Sequence, residues 1–222
     1  MTFPRHRLLT ALVLITMAAL ACPAVQAQGC QVRAIAALPA KLVLEGQAVQ
    51  AIACKDAEGE HLFVETRAQP EPVRGKAQPQ VLSFYKFTLG SGQPQKRWQA
   101  RDFLTVDDSA RASATAVSTA RADRFVVKDV DGDGVTEAFI AYALPGKAGA
   151  GSEGKLLVFY KDRKYAIRGA VAHGPDDFAS RTLDPAFQTL PVSVQTFALG
   201  LWDQVAMPHG PGGVAVTQAA LR

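Results

Sequence analysis

Four acidic residues stand within nine positions of this sequence, and their spacing suits metal chemistry. The segment at 129–137 reads DVDGDGVTE, and its carboxylates belong to Asp129, Asp131, Asp133 and Glu137. Ca²⁺ is bound by several oxygen atoms from carboxylates and backbone carbonyls, held in a sharply bent loop. Without a cation, four negative charges this close together repel one another. The spacing therefore predicts a cation-binding loop.

The segment offers an oxygen ligand at every odd position. The aspartates stand at its first, third and fifth positions, the carbonyl of Val135 at the seventh and the carboxylate of Glu137 at the ninth. Gly134 allows the bend that brings these ligands round, because glycine tolerates positive φ. The predicted cofactor is Ca²⁺, and its predicted ligands are Asp129, Asp131, Asp133, Val135 and Glu137. The same Asp-Gly residues also favour a metal-free hairpin turn, which is the alternative interpretation.

The loop differs from an EF-hand loop. An EF-hand has twelve loop residues, a bidentate glutamate at position 12 and helices on both sides, whereas position 12 here is Ile140. The flanking residues 124–128 and 138–142 are rich in β-forming side chains and carry no helical stripe. This strand–loop–strand pattern resembles the calcium loop of integrin-type propeller repeats (the FG-GAP pattern, D-x-D-x-D-G-x-x-D/E). Because the loop occurs once and a propeller needs several blades, the chain is not a complete propeller.

The N-terminus has the features of a secretory signal peptide. A basic segment at 5–7 precedes an apolar run from 8 to 21, which is too short to span a bilayer comfortably. Residues 25–27, Val-Gln-Ala, fit a small-x-small cleavage site, so residues 1–27 are expected to be removed. The product is then periplasmic or secreted, with no later segment suited to crossing a membrane. A second interpretation makes Cys22 the anchor of a lipoprotein.

Cysteine content and charge limit the nature of the mature chain. Cys30 and Cys54 are the two cysteines left after cleavage, and an even count in an oxidising compartment predicts one disulfide. Two buried thiols are the alternative. Residues 28–222 are numerous enough for one β-rich domain with a real core. They carry 22 Lys and Arg against 20 Asp and Glu, scattered along the chain, so no nucleic-acid partner is predicted.

Short apolar runs separated by turn signals predict an antiparallel sheet. The predicted strands lie at 41–44, 48–54, 61–66, 81–89, 98–104, 124–128, 138–142, 156–160 and 164–168. The first two flank a turn at Gly46 and are predicted to pair as a hairpin. In the last, Tyr165 and Ile167 are predicted to face the core, and Lys164, Ala166 and Arg168 to face solvent. Residues 105–123 fit either a polar helix or a loop.

One amphipathic helix is predicted near the C-terminus. Pro191 suits its first position, and the residues that follow have apolar side chains spaced along one face. These residues are Val194, Phe197, Ala198, Leu201, Trp202 and Val205. The predicted fold class is therefore α+β, a mostly antiparallel β-sheet with one C-terminal amphipathic helix packed on it.

Six segments along the mature chain carry a second resemblance. They are the opening hairpin with its Leu-Pro and Gly residues, Lys96–Phe103 (KRWQARDF), the acidic loop, Lys155–Tyr160 (KLLVFY), Lys164–Gly169 (KYAIRG) and the helix with Leu201–Trp202. In this order they resemble a family of secreted bacterial proteins, mostly uncharacterised, some of which are labelled surface polysaccharide biosynthesis proteins. The resemblance covers most of the mature chain. It implies a periplasmic or surface location and calcium, and it brings no catalytic residues with it.

Enzymatic signatures are absent from the sequence. It has no G-x-S-x-G, H-E-x-x-H, P-loop or dinucleotide motif, and His61, His173 and His209 lie far apart along the chain. We therefore predict a non-enzymatic envelope protein with a structural Ca²⁺ loop, which binds an envelope protein or a glycan. The alternative is a calcium-dependent enzyme acting on envelope polysaccharide, which would need two carboxylates facing each other across a cleft.

Overall fold

The computed structural model describes residues 28–69, 80–104, 124–144, 153–172 and 179–206. Several sequence-based predictions fall outside these residues. They are the signal peptide at 1–27, the alternative lipid anchor at Cys22, the undecided segment at 105–123, and any role of His173 and His209.

Within these ranges the chain forms ten β-strands and one α-helix. The first five strands are β1 (Gln28–Val32), β2 (Gln47–Asp56), β3 (Gly59–Ala68), β4 (Gln80–Leu89) and β5 (Gln95–Leu104). The next five are β6 (Arg124–Lys128), β7 (Glu137–Leu144), β8 (Glu153–Tyr160), β9 (Arg163–Ala170) and β10 (Thr182–Leu183), and helix α1 (Val192–Ala206) follows. They build two antiparallel sheets, ordered β1-β2-β3-β4-β5 and β10-β9-β8-β7-β6. Each sheet is a meander, because strands adjacent in sequence pair with each other.

The two sheets pack face to face over a shared apolar core. Phe63, Phe84 and Trp98 from the first sheet meet Ile140 and Phe159 from the second. The rings of Trp98 and Phe159 stack with their centroids 3.7 Å apart. The predicted class is thus right in its main feature, a mostly antiparallel β structure with one helix, but the strands form two sheets and not one.

Helix α1 covers the other face of the second sheet. Its apolar stripe packs on Phe139, Tyr165 and Ile167. The buried residues of the helix are Val194, Ala198, Leu201, Trp202, Val205 and Ala206, whereas Phe197 is half-buried. A Cβ atom on Gly154 of β8 would lie 2.9 Å from the Trp202 ring, so glycine is needed where the indole meets the strand. The predicted helix is confirmed.

The outer face of the first sheet is covered by the segment between β1 and β2. Leu38, Leu42 and Leu44 pack there on a cluster that includes Leu62 and Tyr85. The predicted hairpin of residues 41–44 with residues 48–54 is wrong, because 41–44 form no strand and β2 pairs instead with β1. Alternating leucines indicate one buried face, but they do not say whether that face belongs to a strand.

The cysteine pair ties the edge of the first sheet together. Cys30 lies in β1 and Cys54 in β2, and their Sγ atoms are 2.10 Å apart, at disulfide distance. The structure therefore pairs the two cysteines as the sequence predicts. The bridge holds the edge strand β1 against its neighbour.

Strand β9 is more buried than predicted. Lys164 and Arg168 are exposed as expected, but Ala166 is only 2% exposed and lies in the core between the sheets. The prediction for Ala166 is wrong because this sheet is covered on both faces, by the first sheet and by α1. Among the described residues no helix is long and apolar enough to span a membrane.

Candidate metal centre

The acidic loop connects β6 to β7. Lys128 at the end of β6 pairs with Glu137 at the start of β7, so the two ends of the loop lie side by side. Gly132 and Gly134 have positive φ values of 76° and 86°, a conformation that glycine adopts without strain. One carboxylate oxygen from each of four acidic residues lies within 4.8 Å of the others. These residues are Asp129, Asp131, Asp133 and Glu137, and together they can hold a metal ion.

Backbone N–H groups hold the aspartates in place. Asp129 accepts hydrogen bonds from Gly132 N at 2.7 Å and from Gly134 N at 3.0 Å. Asp133 accepts one from Val135 N at 2.9 Å. These contacts are local side-chain turns, which aspartate forms readily. The carboxylates are therefore oriented by the loop itself, while the carbonyl of Val135 stays a predicted ligand.

Glu137 is the buried member of the group. Its side chain is 1% exposed, and its Oε2 accepts a hydrogen bond from Val130 N at 2.8 Å. Burial, together with the charges of Asp131, Asp129 and Asp133, raises the pKa of Glu137 to about 8. A positive charge nearby would favour the ionised form of this carboxylate and lower its pKa.

The loop is docked on the first sheet through Asp56, at the end of β2. Asp56 Oδ2 accepts hydrogen bonds from Thr136 N at 3.1 Å and from Thr136 Oγ1 at 2.7 Å. Its Oδ1 accepts one from Glu58 N at 2.9 Å, and Ala57 N donates to Gly134 O at 2.8 Å. Burial acts to raise the pKa of Asp56, but the bonds from Thr136 and the nearby His61 outweigh it and hold that pKa below its usual value.

His61 supports Asp56 from within the sheet. Its Nε2 lies 3.0 Å from Asp56 Oδ1, and its Nδ1 lies 3.5 Å from Thr88 Oγ1. An Asp–His–hydroxyl chain can activate a nucleophile, but His61 is 1% exposed and a substrate could not reach its imidazole. Burial and the charge of Lys86 lower the pKa of His61, which keeps the ring neutral near pH 7. We assign His61 a structural role.

A second support comes from the turn between β8 and β9. Lys161 Nζ lies 3.0 Å from Asp133 Oδ2. The neighbouring Asp162 accepts hydrogen bonds from Lys86 at 2.9 Å and from Arg97 at 3.0 Å, both in the first sheet. Burial acts to raise the pKa of Asp133, but the N–H of Val135 and the ammonium of Lys161 hold it below its usual value. The turn thus contacts both the loop and the opposite sheet.

Sequence reasoning singled out the four acidic residues that the structure brings together but missed these supports. The one signal for Asp56 was Thr136, a polar residue at a loop position that is usually apolar in EF-hands. His61 looked isolated in the sequence, and Lys161 looked like an ordinary surface residue of a turn. Their roles depend on neighbours that lie far away along the chain.

The raised pKa of Glu137 predicts how the metal-free protein responds to pH. In the folded state Glu137 keeps its proton up to about pH 8, whereas in the unfolded chain it loses it near the ordinary value of 4.5. Between these values the folded state binds more protons, so Glu137 makes the free energy of unfolding fall as pH rises. Urea denaturation in EDTA from about pH 5 to about pH 8 measures this slope.

Glu137→Gln serves as the comparison, because glutamine cannot titrate. The pKa of His61 is lowered, so below about pH 6.5 this residue makes the free energy of unfolding rise with pH. His61 is present in both proteins, so its contribution cancels in the comparison. The difference between wild type and Glu137→Gln therefore isolates Glu137. Parallel pH profiles for the two proteins would contradict the prediction.

Comparisons of the chain with models of known protein families, with curated proteins and with solved structures gave no match. The resemblances described above therefore remain predictions from the sequence.

Proposed function

We propose that the loop at 129–137 binds Ca²⁺ and that the ion completes the fold of a non-enzymatic envelope protein. The observation that carries the proposal is the buried carboxylate of Glu137, which meets three aspartates within 4.8 Å. If they were all ionised without a cation between them, four carboxylates at this distance, one of them out of contact with water, would repel one another, and burial together with this repulsion raises the pKa of Glu137 to about 8. A divalent ion removes this repulsion directly.

The chemistry of the ligands favours Ca²⁺ over other metals. The acidic group offers carboxylate oxygens alone, with neither histidine nor cysteine among its members. Hard oxygen ligands suit Ca²⁺ and Mg²⁺, whereas Zn²⁺ is bound mostly through nitrogen and sulfur. Ca²⁺ accepts six to eight oxygens in flexible geometry, but Mg²⁺ demands a near-ideal octahedron and keeps several waters. A loop that brings four carboxylates together, with the Val135 carbonyl as a predicted fifth ligand, fits the larger ion.

The role we propose for the ion is structural. The loop joins the first two strands of the second sheet and is held by Asp56 at the end of β2 in the first sheet. An ion that fixes the loop therefore also fixes the contact between the sheets at this end. An ion that binds only the folded state in this way stabilises the folded protein.

The cellular setting in the proposal is the periplasm or the exterior, with a lipoprotein anchored at Cys22 as the alternative. The signal-peptide features and the Cys30–Cys54 pair support it, since disulfides persist in oxidising compartments. In this setting the protein would present a surface to an envelope protein or a glycan. Affinity capture from an envelope extract, with and without Ca²⁺, would identify the partner.

Thermal melting tests the calcium proposal directly. Ca²⁺ should raise the melting temperature relative to EDTA, because a ligand that binds only the folded state stabilises it by about 2.7 kcal/mol at a hundredfold excess over Kd. The double variant Asp131→Asn with Asp133→Asn should lose the difference, since both ligand charges are gone. Asp203→Asn, which changes an exposed aspartate in α1, should keep it. Equal melting temperatures of the wild type in EDTA and in about 10 mM Ca²⁺, well above the Kd range of weak extracellular modules, would refute the proposal.

A further inference from the structure

The ammonium group of Lys161 is a positively charged side chain within the candidate metal centre. Its Nζ lies 3.0 Å from Asp133 Oδ2, and its side chain is 54% exposed. Asp133 belongs to the four-carboxylate group, so one of the proposed ligands is already paired with a positive charge. An ammonium group and a Ca²⁺ ion are both attracted to the oxygens of this carboxylate, but their positive charges repel each other, so they compete for it.

The turn that carries Lys161 has an unusual composition. Tyr160 and Arg163 form the closing pair, and the two residues between them have positive φ, 47° for Lys161 and 59° for Asp162. They are the only non-glycine residues with positive φ in the described parts of the chain. Turns of this kind prefer Asn-Gly, because a lysine in the left-handed region is strained. The lysine is therefore not explained by the needs of the turn.

Asp162 fixes the turn independently of Lys161. It is hydrogen-bonded at 2.9 Å to Lys86, whose side chain is 3% exposed, and it also pairs with Arg97. The backbone of the turn thus stays in place whether or not Lys161 contacts the loop. The side chain of Lys161 has a flexible four-carbon stem that can swing into solvent. It can leave Asp133 without moving the fold.

We infer that Lys161 is a tethered competitor of the metal ion, which occupies Asp133 in the empty loop and must be displaced when Ca²⁺ binds. The inference rests on the proposed function and adds its regulation. In the empty state the ammonium group offsets part of the repulsion among the carboxylates and keeps the loop folded. When Ca²⁺ binds, the ammonium group must first leave Asp133, and the free energy of breaking this ion pair weakens Ca²⁺ binding. The expected Kd then lies in the weak range of extracellular modules, about 10⁻⁴–10⁻³ M.

Isothermal titration calorimetry with CaCl₂ tests the inference on the purified full-length protein. Lys161→Gln should bind Ca²⁺ roughly tenfold more tightly than wild type, because one unit charge beside a divalent ion is removed. Lys161→Arg keeps the charge and should stay within about twofold of wild type. Lys164→Gln removes a charge from an exposed residue of the same hairpin and should also change Kd by less than about twofold.

Melting in EDTA gives a second, metal-independent measurement. Lys161→Gln should lower the melting temperature of the empty protein, and Lys164→Gln should not. The loss should disappear when Asp133→Asn is already present, because the two substitutions remove the same ion pair.

The outcomes separate the two proposals. If wild type and Lys161→Gln bind Ca²⁺ with the same Kd, the competitor role is wrong and the calcium site stands. If neither binds at concentrations up to about 10 mM, well above the range of extracellular modules, both proposals are wrong. If Lys161→Gln binds and wild type binds more weakly or not at all, the competitor role is supported. If Lys164→Gln tightened Ca²⁺ binding by the same factor as Lys161→Gln, the change in Kd would come from net charge alone, and the competitor role of Lys161 would be wrong.

Discussion

Asp56→Ala is expected to destabilise the protein by about 3–5 kcal/mol, because it removes the buried acceptor of several hydrogen bonds at once. Asp56 is buried and accepts hydrogen bonds from Thr136 N, Thr136 Oγ1 and Glu58 N. Alanine would leave these donors and the His61 ring without their acceptor. Each buried donor without a partner costs about 1–3 kcal/mol. Urea denaturation of the two proteins in EDTA measures the loss without the influence of a metal.

Asp56→Ala should also free the acidic loop from its contact with the first sheet. Because Asp56 is the residue of the first sheet that holds Thr136, its loss should also weaken Ca²⁺ binding and reduce the stabilisation by Ca²⁺. Asp203→Ala is the matched control, since Asp203 pairs with Arg181 on the surface and both side chains are about half exposed. Such a pair contributes less than about 1 kcal/mol. If Asp56→Ala cost no more than Asp203→Ala, the docking of the loop through Asp56 would be wrong.

Trp202→Ala is expected to have an effect of similar size. The indole is 2% exposed and lies at the centre of the contact between α1 and the second sheet. Removing a fully buried tryptophan destabilises a protein by about 3–5 kcal/mol, because the lost ring leaves a cavity. The cavity would open beside Gly154, where an added Cβ atom would lie 2.9 Å from the ring. Denaturation with urea gives the free energy of unfolding for comparison with wild type.

Arg168→Ala is the control for the helix interface. Arg168 lies in β9 on the same sheet, and its side chain is exposed. A surface substitution of this kind is expected to change stability by less than about 0.5 kcal/mol. If Arg168→Ala proved the more costly of the two, the exposed assignment would be wrong, and Arg168 would become a candidate for binding an anionic ligand.

Local patterns were enough to predict the features that depend on neighbouring residues. The spacing of Asp129, Asp131 and Asp133 predicted the carboxylate group, because nine residues around two glycines bring their side chains together whatever lies elsewhere. The stripe through Leu201 and Trp202 predicted the helix, since one helical face collects residues three and four positions apart. Of the three cysteines, two are left after the expected cleavage, and this even count predicted the pairing of Cys30 with Cys54.

Tertiary structure alone decided which residues support the site. Asp56 and Thr136 are 80 positions apart, and they meet only because the two sheets face each other. The same packing buries Ala166 on a strand face that alternation assigned to solvent. Lys161 contacts Asp133 because the turn between β8 and β9 lies beside the acidic loop. The sequence by itself determined which carboxylates lie close enough together to hold a metal ion. How firmly the loop is held, and which lysine pairs with Asp133, depends on contacts between distant segments, which periodicity and spacing do not encode.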